Sequence, residues 1–321
     1  MDDTELSGEL TRLFMQLEGA DPKTVAALLK AIGQLNPRKQ RGRRAAMLQQ
    51  VFRRAAQIAQ ACDFEGSVVL RKGQVLMDHE GVLLAADDES RYFRRGGLSA
   101  ARPMLRVLQK YGVPLRTVFD VGANLGEIAL YFAHKVPDAR VFAFEPAPEN
   151  LAAFNANLAL QPAPLANLQL IAAAVSDRQG EIDITIGGRD LNTVLVEGNI
   201  ERIRERGAVT VQSVPTDTLD AYCRRLDVEE IDFLKVDIEG AEPLLAQALI
   251  ALKGRVHASF VEMTRFNSIE AYEGLAKAYE TCGLALLDAD MQPVDDAAAW
   301  VREGLEQRPG MNVWFLRRDY L

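Results

Sequence analysis

Hydrophobic and polar positions change period twice along the chain. In residues 1–61 apolar side chains recur every three or four positions: Leu6, Leu10, Leu13, Phe14 and Leu17, then Val25, Leu28, Leu29 and Ile32, then Leu48, Val51, Phe52, Ala55 and Ile58. That spacing predicts amphipathic helices. Asp21-Pro22 supplies an N-cap and a first-turn proline for the second helix, and Asn36-Pro37 stops it. From Gly66 the pattern shortens. Ser67–Arg71, Gln74–Met77 and Gly81–Ala85 are brief apolar runs broken at Lys72-Gly73 and His79-Glu80, which predicts a small antiparallel meander. Ala101–Tyr111 returns to a helical period.

From Leu115 onward strands and helices alternate. The predicted strands are Thr117–Val121, Arg140–Phe144, Leu168–Val175, Ile231–Val236, His257–Val261, Leu284–Leu287 and Asn312–Leu316. Helical segments Glu127–Lys135, Glu149–Leu160, Ala241–Leu252 and Ile269–Thr281 lie between most of them. Such alternation means a mostly parallel sheet covered by helices on both faces, an α/β fold. A hairpin-like insertion, Glu181–Ile186 with Ala208–Val214, interrupts it. The last strand is expected to run antiparallel, because little helix is read between it and Leu284–Leu287. These patterns divide the chain into an accessory region, 1–100, and an α/β domain, 101–321.

Charge adds one exclusion. The formal net charge is −8, the opposite of a dedicated nucleic-acid binder. Residues 1–60 are the exception, with ten basic and six acidic side chains, a local +4; five of the basic ones crowd Arg38–Arg44. Cys62, Cys223 and Cys282 are far apart and form no metal or disulfide framework, so reduced thiols are expected. The start, Met1-Asp-Asp-Thr-Glu5, is acidic where a signal peptide is basic. No apolar run approaches the roughly 18 residues of a membrane span. The expectation is a soluble cytoplasmic protein.

The chemistry concentrates at strand ends, where open parallel sheets bind ligands. The first predicted strand ends in Asp120-Val-Gly-Ala-Asn-Leu-Gly126, where Gly122 and Gly126 permit a tight turn and close approach to a ligand. A phosphate-binding loop would close on Gly-Lys-Ser/Thr, and a dinucleotide fingerprint would place glycine at Asn124; neither holds. The loop therefore suits a nucleoside without a phosphate chain. The next strand ends in Glu145-Pro146, an acidic group placed to accept from both ribose hydroxyls, and the third is followed by Asp177, a carboxylate able to accept from an adenine amino group.

These residues resemble a class I methyltransferase that uses S-adenosylmethionine, and more narrowly the FkbM family. The matching pieces are Phe119–Gly126, Phe144-Glu-Pro146, Asp217-Thr-Leu219 and Asp232-Phe-Leu-Lys-Val-Asp-Ile-Glu-Gly-Ala-Glu242, within about residues 115–320. The resemblance implies a Rossmann-like sheet of seven strands and methyl transfer, usually to oxygen, on a small-molecule or glycan hydroxyl. Asp120, Gly122, Ala123, Asn124, Gly126, Glu145, Pro146, Asp177 and Asp237 are the expected cofactor-binding residues. Asp237, Glu239 and Glu262 are the candidate bases. Asp237 and Glu239 are two apart and would share a face if the strand continued; Glu262 ends the next strand. Glu242 and Pro243 suit the first turn of the following helix, and Asn124 is placed to bond loop backbone. No metal is expected, since no histidine sits beside the carboxylates, and His257 is expected in a packed strand layer. Asn192-Thr193-Val-Leu195 looks like the family's polar stretch and suits the acceptor pocket or a plain turn. Residues 1–100, including the basic run and Arg91, Arg94 and Arg95, fall to acceptor selection or homo-oligomer formation. Two other readings stay open: a non-catalytic protein that keeps the nucleoside pocket, and a nicotinamide-dependent dehydrogenase, which the missing third glycine disfavours.

Overall fold

The computed structural model describes residues 67–71, 74–85, 100–186, 194 and 210–321. The helices expected in 1–61, Cys62, the basic run, Arg91, Arg94, Arg95, Asn192, Thr193 and Leu195 lie outside the described residues. Two compact units are present: Met1–Ala100 with Ala156–Pro164, and Ala101–Asn155 with Leu165–Leu321. Among the described residues no helix is long and apolar enough to cross a membrane.

In the first unit β1 (Ser67–Arg71), β2 (Gln74–His79) and β3 (Val82–Ala85) form an antiparallel meander in that order. Glu80 and Gly81 both take positive φ, 54° and 100°, the two-residue turn whose twist matches a hairpin. β3 is bonded by side chains of the 156–164 segment. Ala85 N donates to Asn157 Oδ1 at 2.8 Å, and the Gln161 amide accepts from Leu83 N at 3.2 Å and donates to Leu83 O at 2.7 Å. The amide thus satisfies strand groups that a further strand would otherwise pair.

The second unit begins with α1 (Ala101–Lys110), β4 (Thr117–Val121), α2 (Glu127–Lys135), β5 (Arg140–Phe144), α3 (Pro148–Leu160, whose last turn belongs to the first unit) and β6 (Leu168–Ile171). It continues through β7 (Ala174–Ser176), β8 (Gly180–Ile186), β9 (Thr210–Thr218), α4 (Leu219–Arg225) and β10 (Ile231–Val236). The remainder is a 3-10 turn (Glu242–Leu245), α5 (Ala246–Leu252), β11 (Val256–Thr264), α6 (Ile269–Thr281), β12 (Leu284–Leu287), α7 (Ala297–Gln307) and β13 (Gly310–Arg317). Seven strands form the main sheet in the order β12-β13-β11-β10-β4-β5-β6. β13 is antiparallel to both neighbours, and β11, β10, β4, β5 and β6 pair in parallel. β4, β10 and β12 are buried at every position, as strands covered on both faces must be. One core cluster threads Phe119, Phe144 and Tyr222, with ring centroids 5.3 and 4.7 Å apart, through to Tyr279 stacked on Phe315 at 4.1 Å.

Four expectations change. Leu168–Val175 is not one strand: β6 ends at Ile171, and the chain turns at Ala172-Ala173, where Ala173 N reaches back to Ile171 O. β7 then pairs with β9 in a separate sheet of order β7-β9-β8. An unbroken apolar run carries no mark of a strand changing sheets. The hairpin partner is Thr210–Thr218 instead of Ala208–Val214. Ala241–Leu252 is a 3-10 turn followed by a short helix, because Pro243 sits in the first turn and the Glu242 side chain bonds backward. The last strand is antiparallel as expected, but for another reason: α7 precedes it, started by Asp296, whose side chain accepts from Ala299 N. The two described cysteines, Cys223 and Cys282, are free thiols; burial pushes Cys223 up to about 11.

Candidate active site

Parallel pairing sets the carboxyl ends of β4, β5 and β10 side by side. After β4, Gly122 N and Ala123 N both donate to Phe144 O at 3.0 Å, which ties the glycine loop to the end of β5. Asn124 N donates to Glu145 Oε2 at 2.8 Å, and Ala147 N to Glu145 Oε1 at 2.9 Å. The loop thus wraps around the Glu145 carboxylate, which is buried and, by that burial, held above the usual carboxylate range. Asn124 takes a left-handed φ of 49°, and its Oδ1 is buried without a hydrogen-bond partner.

Both glycines are required by the protein itself. Gly122 has φ 82°, and a Cβ there would lie 1.9 Å from the Asp237 carbonyl oxygen. Gly126 has φ 87°, and its Cβ would meet the Phe154 ring at 2.7 Å. The close approach recorded here is therefore chain to chain. The sequence reading attributed it to a ligand.

The opening Asp-Val-Gly is supported from β10 by Lys235, which the sequence reading passed over. Its buried ammonium donates to Gly122 O at 2.7 Å and lies 3.3 Å from Asp120 Oδ1 and 3.4 Å from Asp237 Oδ2. Burial alone would lower this lysine; Asp237 and Asp120 outweigh it and hold it above its usual value. Asp120 is fully buried, and its other oxygen accepts from Ala129 N at 3.1 Å at the start of α2. Burial raises Asp120, against the pull of Lys235. So Asp120, expected among the ligand contacts, turns both oxygens to protein groups. The signal for Lys235 was present: the one cation in a mostly apolar strand, two residues from Asp237 and, once β4 and β10 pair, opposite Asp120.

β10 stops at Val236, with Asp237 N bonded to Val121 O at 3.0 Å. The strand does not continue as supposed, because Glu239 and Gly240 take φ of 55° and 101°. Even so, one oxygen each from Asp237, Glu239 and Glu262 lies within 4.8 Å of the others. Glu262 lies inside β11, which runs on to Thr264; the β10–β11 register brings it level with Asp237. All three are half-buried. Three carboxylate oxygens at this spacing also match the donor set of a hard divalent cation. The sequence expectation was no metal here, since no histidine sits beside these carboxylates.

Asp177 does not join this group. It follows β7 in the small sheet, and its exposed carboxylate is paired with Arg178 at 2.8 and 3.2 Å. Pro146 is half-buried beside Glu145. His257 lies in the buried layer as expected. It sits toward the amino end of β11, 2.9 Å from Tyr320 OH and 3.2 Å from Asp232. Asp217-Thr-Leu219 caps α4, with Thr218 Oγ1 accepting from Ala221 N.

A seven-stranded sheet with one inserted antiparallel strand, a glycine loop after β4 and a buried acid after β5 define a class I methyltransferase. The family model described as the methyltransferase FkbM domain matches residues 120–282, half of the chain, and the chain belongs to that family. It is an S-adenosylmethionine-dependent methyltransferase. The 2-O-methyltransferase NoeI of Sinorhizobium fredii is 28% identical over 213 residues, covering 61% of this chain and 82% of that protein. The methyltransferase sdnD of Sordaria araneosa is 32% identical over 179 residues, 49% of this chain and 66% of that one. The crystal structure of a methyltransferase FkbM from Methylobacillus flagellatus aligns with 89% of this chain and 58% of that chain, at 10% identity and a TM-score of 0.37.

Proposed function

We propose that the protein transfers a methyl group to a hydroxyl of a sugar, glycan or secondary metabolite. The observation that carries this reading is the convergence of Asp237, Glu239 and Glu262 beside the glycine loop. S-adenosylmethionine supplies an electrophilic methyl on a sulfonium, and the residues present fit it. Asn124 Oδ1 is a buried acceptor lacking a donor. Glu145 receives two backbone amides and the Asn150 side chain, which leaves acceptor capacity for a ribose hydroxyl.

An alcohol is about as weak an acid as water, with a pKa near 15.7, so its proton must leave as the new carbon–oxygen bond forms. A carboxylate within reach takes that proton late in the step. Asp237 is the poorer base, because the adjacent Lys235 ammonium favours its anion. It suits the ammonium of the methionine part instead, which leaves Glu239 and Glu262 to face the acceptor. Alignment of acceptor, methyl and sulfur then supplies about 7–11 kcal/mol. The name of the Sinorhizobium relative, a 2-O-methyltransferase, supports oxygen as the acceptor atom.

The test is a mass-spectrometric comparison of producing cells with and without the gene, alongside titration of the protein with S-adenosylhomocysteine. The expected result is saturable binding and a compound heavier by one CH2 in the producing cells. Absence of binding, or a methyl gained on nitrogen or carbon, would refute the reading.

A further inference from the structure

We propose that Glu242 and Tyr272 are positioning residues for methyl transfer, a buried strut that sets Glu239 against Glu262. The proposal rests on the reading above, in which those two carboxylates face the acceptor. Glu242 is fully buried, and its carboxylate turns back on the loop that precedes it. Oε1 accepts from Ile238 N at 2.8 Å and from Gly240 N at 3.2 Å; Oε2 accepts from Gly240 N at 3.0 Å and from the Tyr272 hydroxyl at 2.6 Å. Glu239 is therefore carried between two amides that one carboxylate grips.

The same hydroxyl reaches the other catalytic segment. Tyr272, fully buried on α6, accepts from Thr264 N at 3.2 Å, two residues beyond Glu262 on β11. One continuous hydrogen-bonded path thus links the Glu239 loop to the end of the Glu262 strand. The loop is held from its far side too. Asn267 Nδ2 donates to Gly240 O at 2.9 Å, and a Cβ on Gly240 would lie 2.5 Å from Phe266 Cβ. A left-handed Glu239 persists where its surroundings over-determine it.

The strut has a property that a purely architectural contact lacks. Burial pushes Glu242 up to about 7, against the Tyr272 hydroxyl and the loop amides, which pull it down. From α6, Tyr272 faces it directly, and Tyr279 feels its charge from farther along the same helix. Ionised, the carboxylate accepts all four bonds. Protonated, one oxygen becomes a donor and the Tyr272 hydroxyl must turn elsewhere.

The experiment follows amide hydrogen exchange at Ile238, Gly240 and Thr264 in the full chain with S-adenosylhomocysteine bound, corrected for intrinsic exchange, on both sides of about pH 7. In the parent protein, protection of Ile238 and Gly240 should fall as pH rises through that value, because an opened loop solvates the ionised carboxylate. In Glu242→Gln it should be flat, and in Tyr272→Phe protection at Thr264 should fall. S-adenosylhomocysteine should bind both variants as tightly as the parent. With labelled S-adenosylmethionine and a small-molecule extract of producing cells, each variant should transfer label about tenfold to a hundredfold more slowly at mildly alkaline pH, the penalty for misplaced catalytic groups. Protection in the parent that ignores pH, or undiminished transfer by Glu242→Gln, would overturn the proposal. So would weakened cofactor binding with loop protection intact. An extract that the parent itself does not label speaks against the acceptor reading, and the exchange data still decide the strut.

Discussion

Replacing Lys235 with Met tests the electrostatic centre of the site. The substitution keeps most of the side-chain volume and removes the ammonium that lies 3.3 Å from Asp120 and 3.4 Å from Asp237. Asp237 is a quarter exposed and can draw on solvent; Asp120 is fully buried and cannot. Breaking a buried ion pair by deleting one partner costs about 3–5 kcal/mol, chiefly because the remaining charge is stranded. Losing the charged hydrogen bond to the Gly122 carbonyl adds about 1.5–3 kcal/mol of the same order. Asp120 can escape by taking a proton, and burial already raises it with Lys235 present. Its folded value then lies above its unfolded one. Stability gained from the neutral form is present at low pH and lost as pH rises through the folded value. Urea unfolding should therefore show a large deficit at mildly alkaline pH that shrinks on acidification. Asp120→Asn in the same chain should recover much of it, so that the two changes are far from additive. Equal deficits at both pH values, or additive single and double variants, would refute the argument that Lys235 exists to neutralise Asp120.

Three further outcomes follow from the same geometry. Gly122→Ala should cost about 1–2 kcal/mol from its left-handed backbone alone, and more because the Asp237 carbonyl must move, read as a lower melting temperature with weakened S-adenosylhomocysteine binding. Glu145→Ala should weaken that binding by about 1.5–6 kcal/mol, the worth of one or two hydrogen bonds to a charged group, in isothermal titration. Glu242 is raised from 4.5 to about 7, so its contribution to stability is complete below 4.5 and lost as pH rises through 7. That is about 3 kcal/mol by linkage, and Glu242→Gln should flatten this part of the pH profile in denaturant titrations.

The elements that sequence reading located best are those whose signal is local. β4, β5, β10 and β12 are apolar runs bounded by turn residues, and their expected bounds match the structure. Glu145 and the glycine loop were legible because an acid or a glycine at a strand end stands out from its neighbours. What escaped depends on contacts distant in sequence. Lys235 gains its meaning only when β10 lies beside β4 in register. Glu242 looked like a helix-start acid, since nothing local says that it folds back onto Ile238 and Gly240. Asp177 was misplaced because alanines 172–174 give no sign that the chain leaves the main sheet. Asp237 and Glu239 were brought together for a mistaken reason, a strand that in fact ends one residue earlier.

The position of β13 has a consequence for how the molecule is made. It follows every other strand of its sheet along the chain, yet it lies inside the sheet, with β11 on one side and β12 on the other. Until residues 310–317 arrive, β11 has an open edge and β12 has no place to dock. Long-range closure of this kind slows folding and leaves an adhesive border exposed meanwhile. Nascent chains paused before Gly310 should therefore be the species that chaperones hold, and damage to this one strand should scatter the Glu262 side of the sheet while β4, β5 and their loop still assemble.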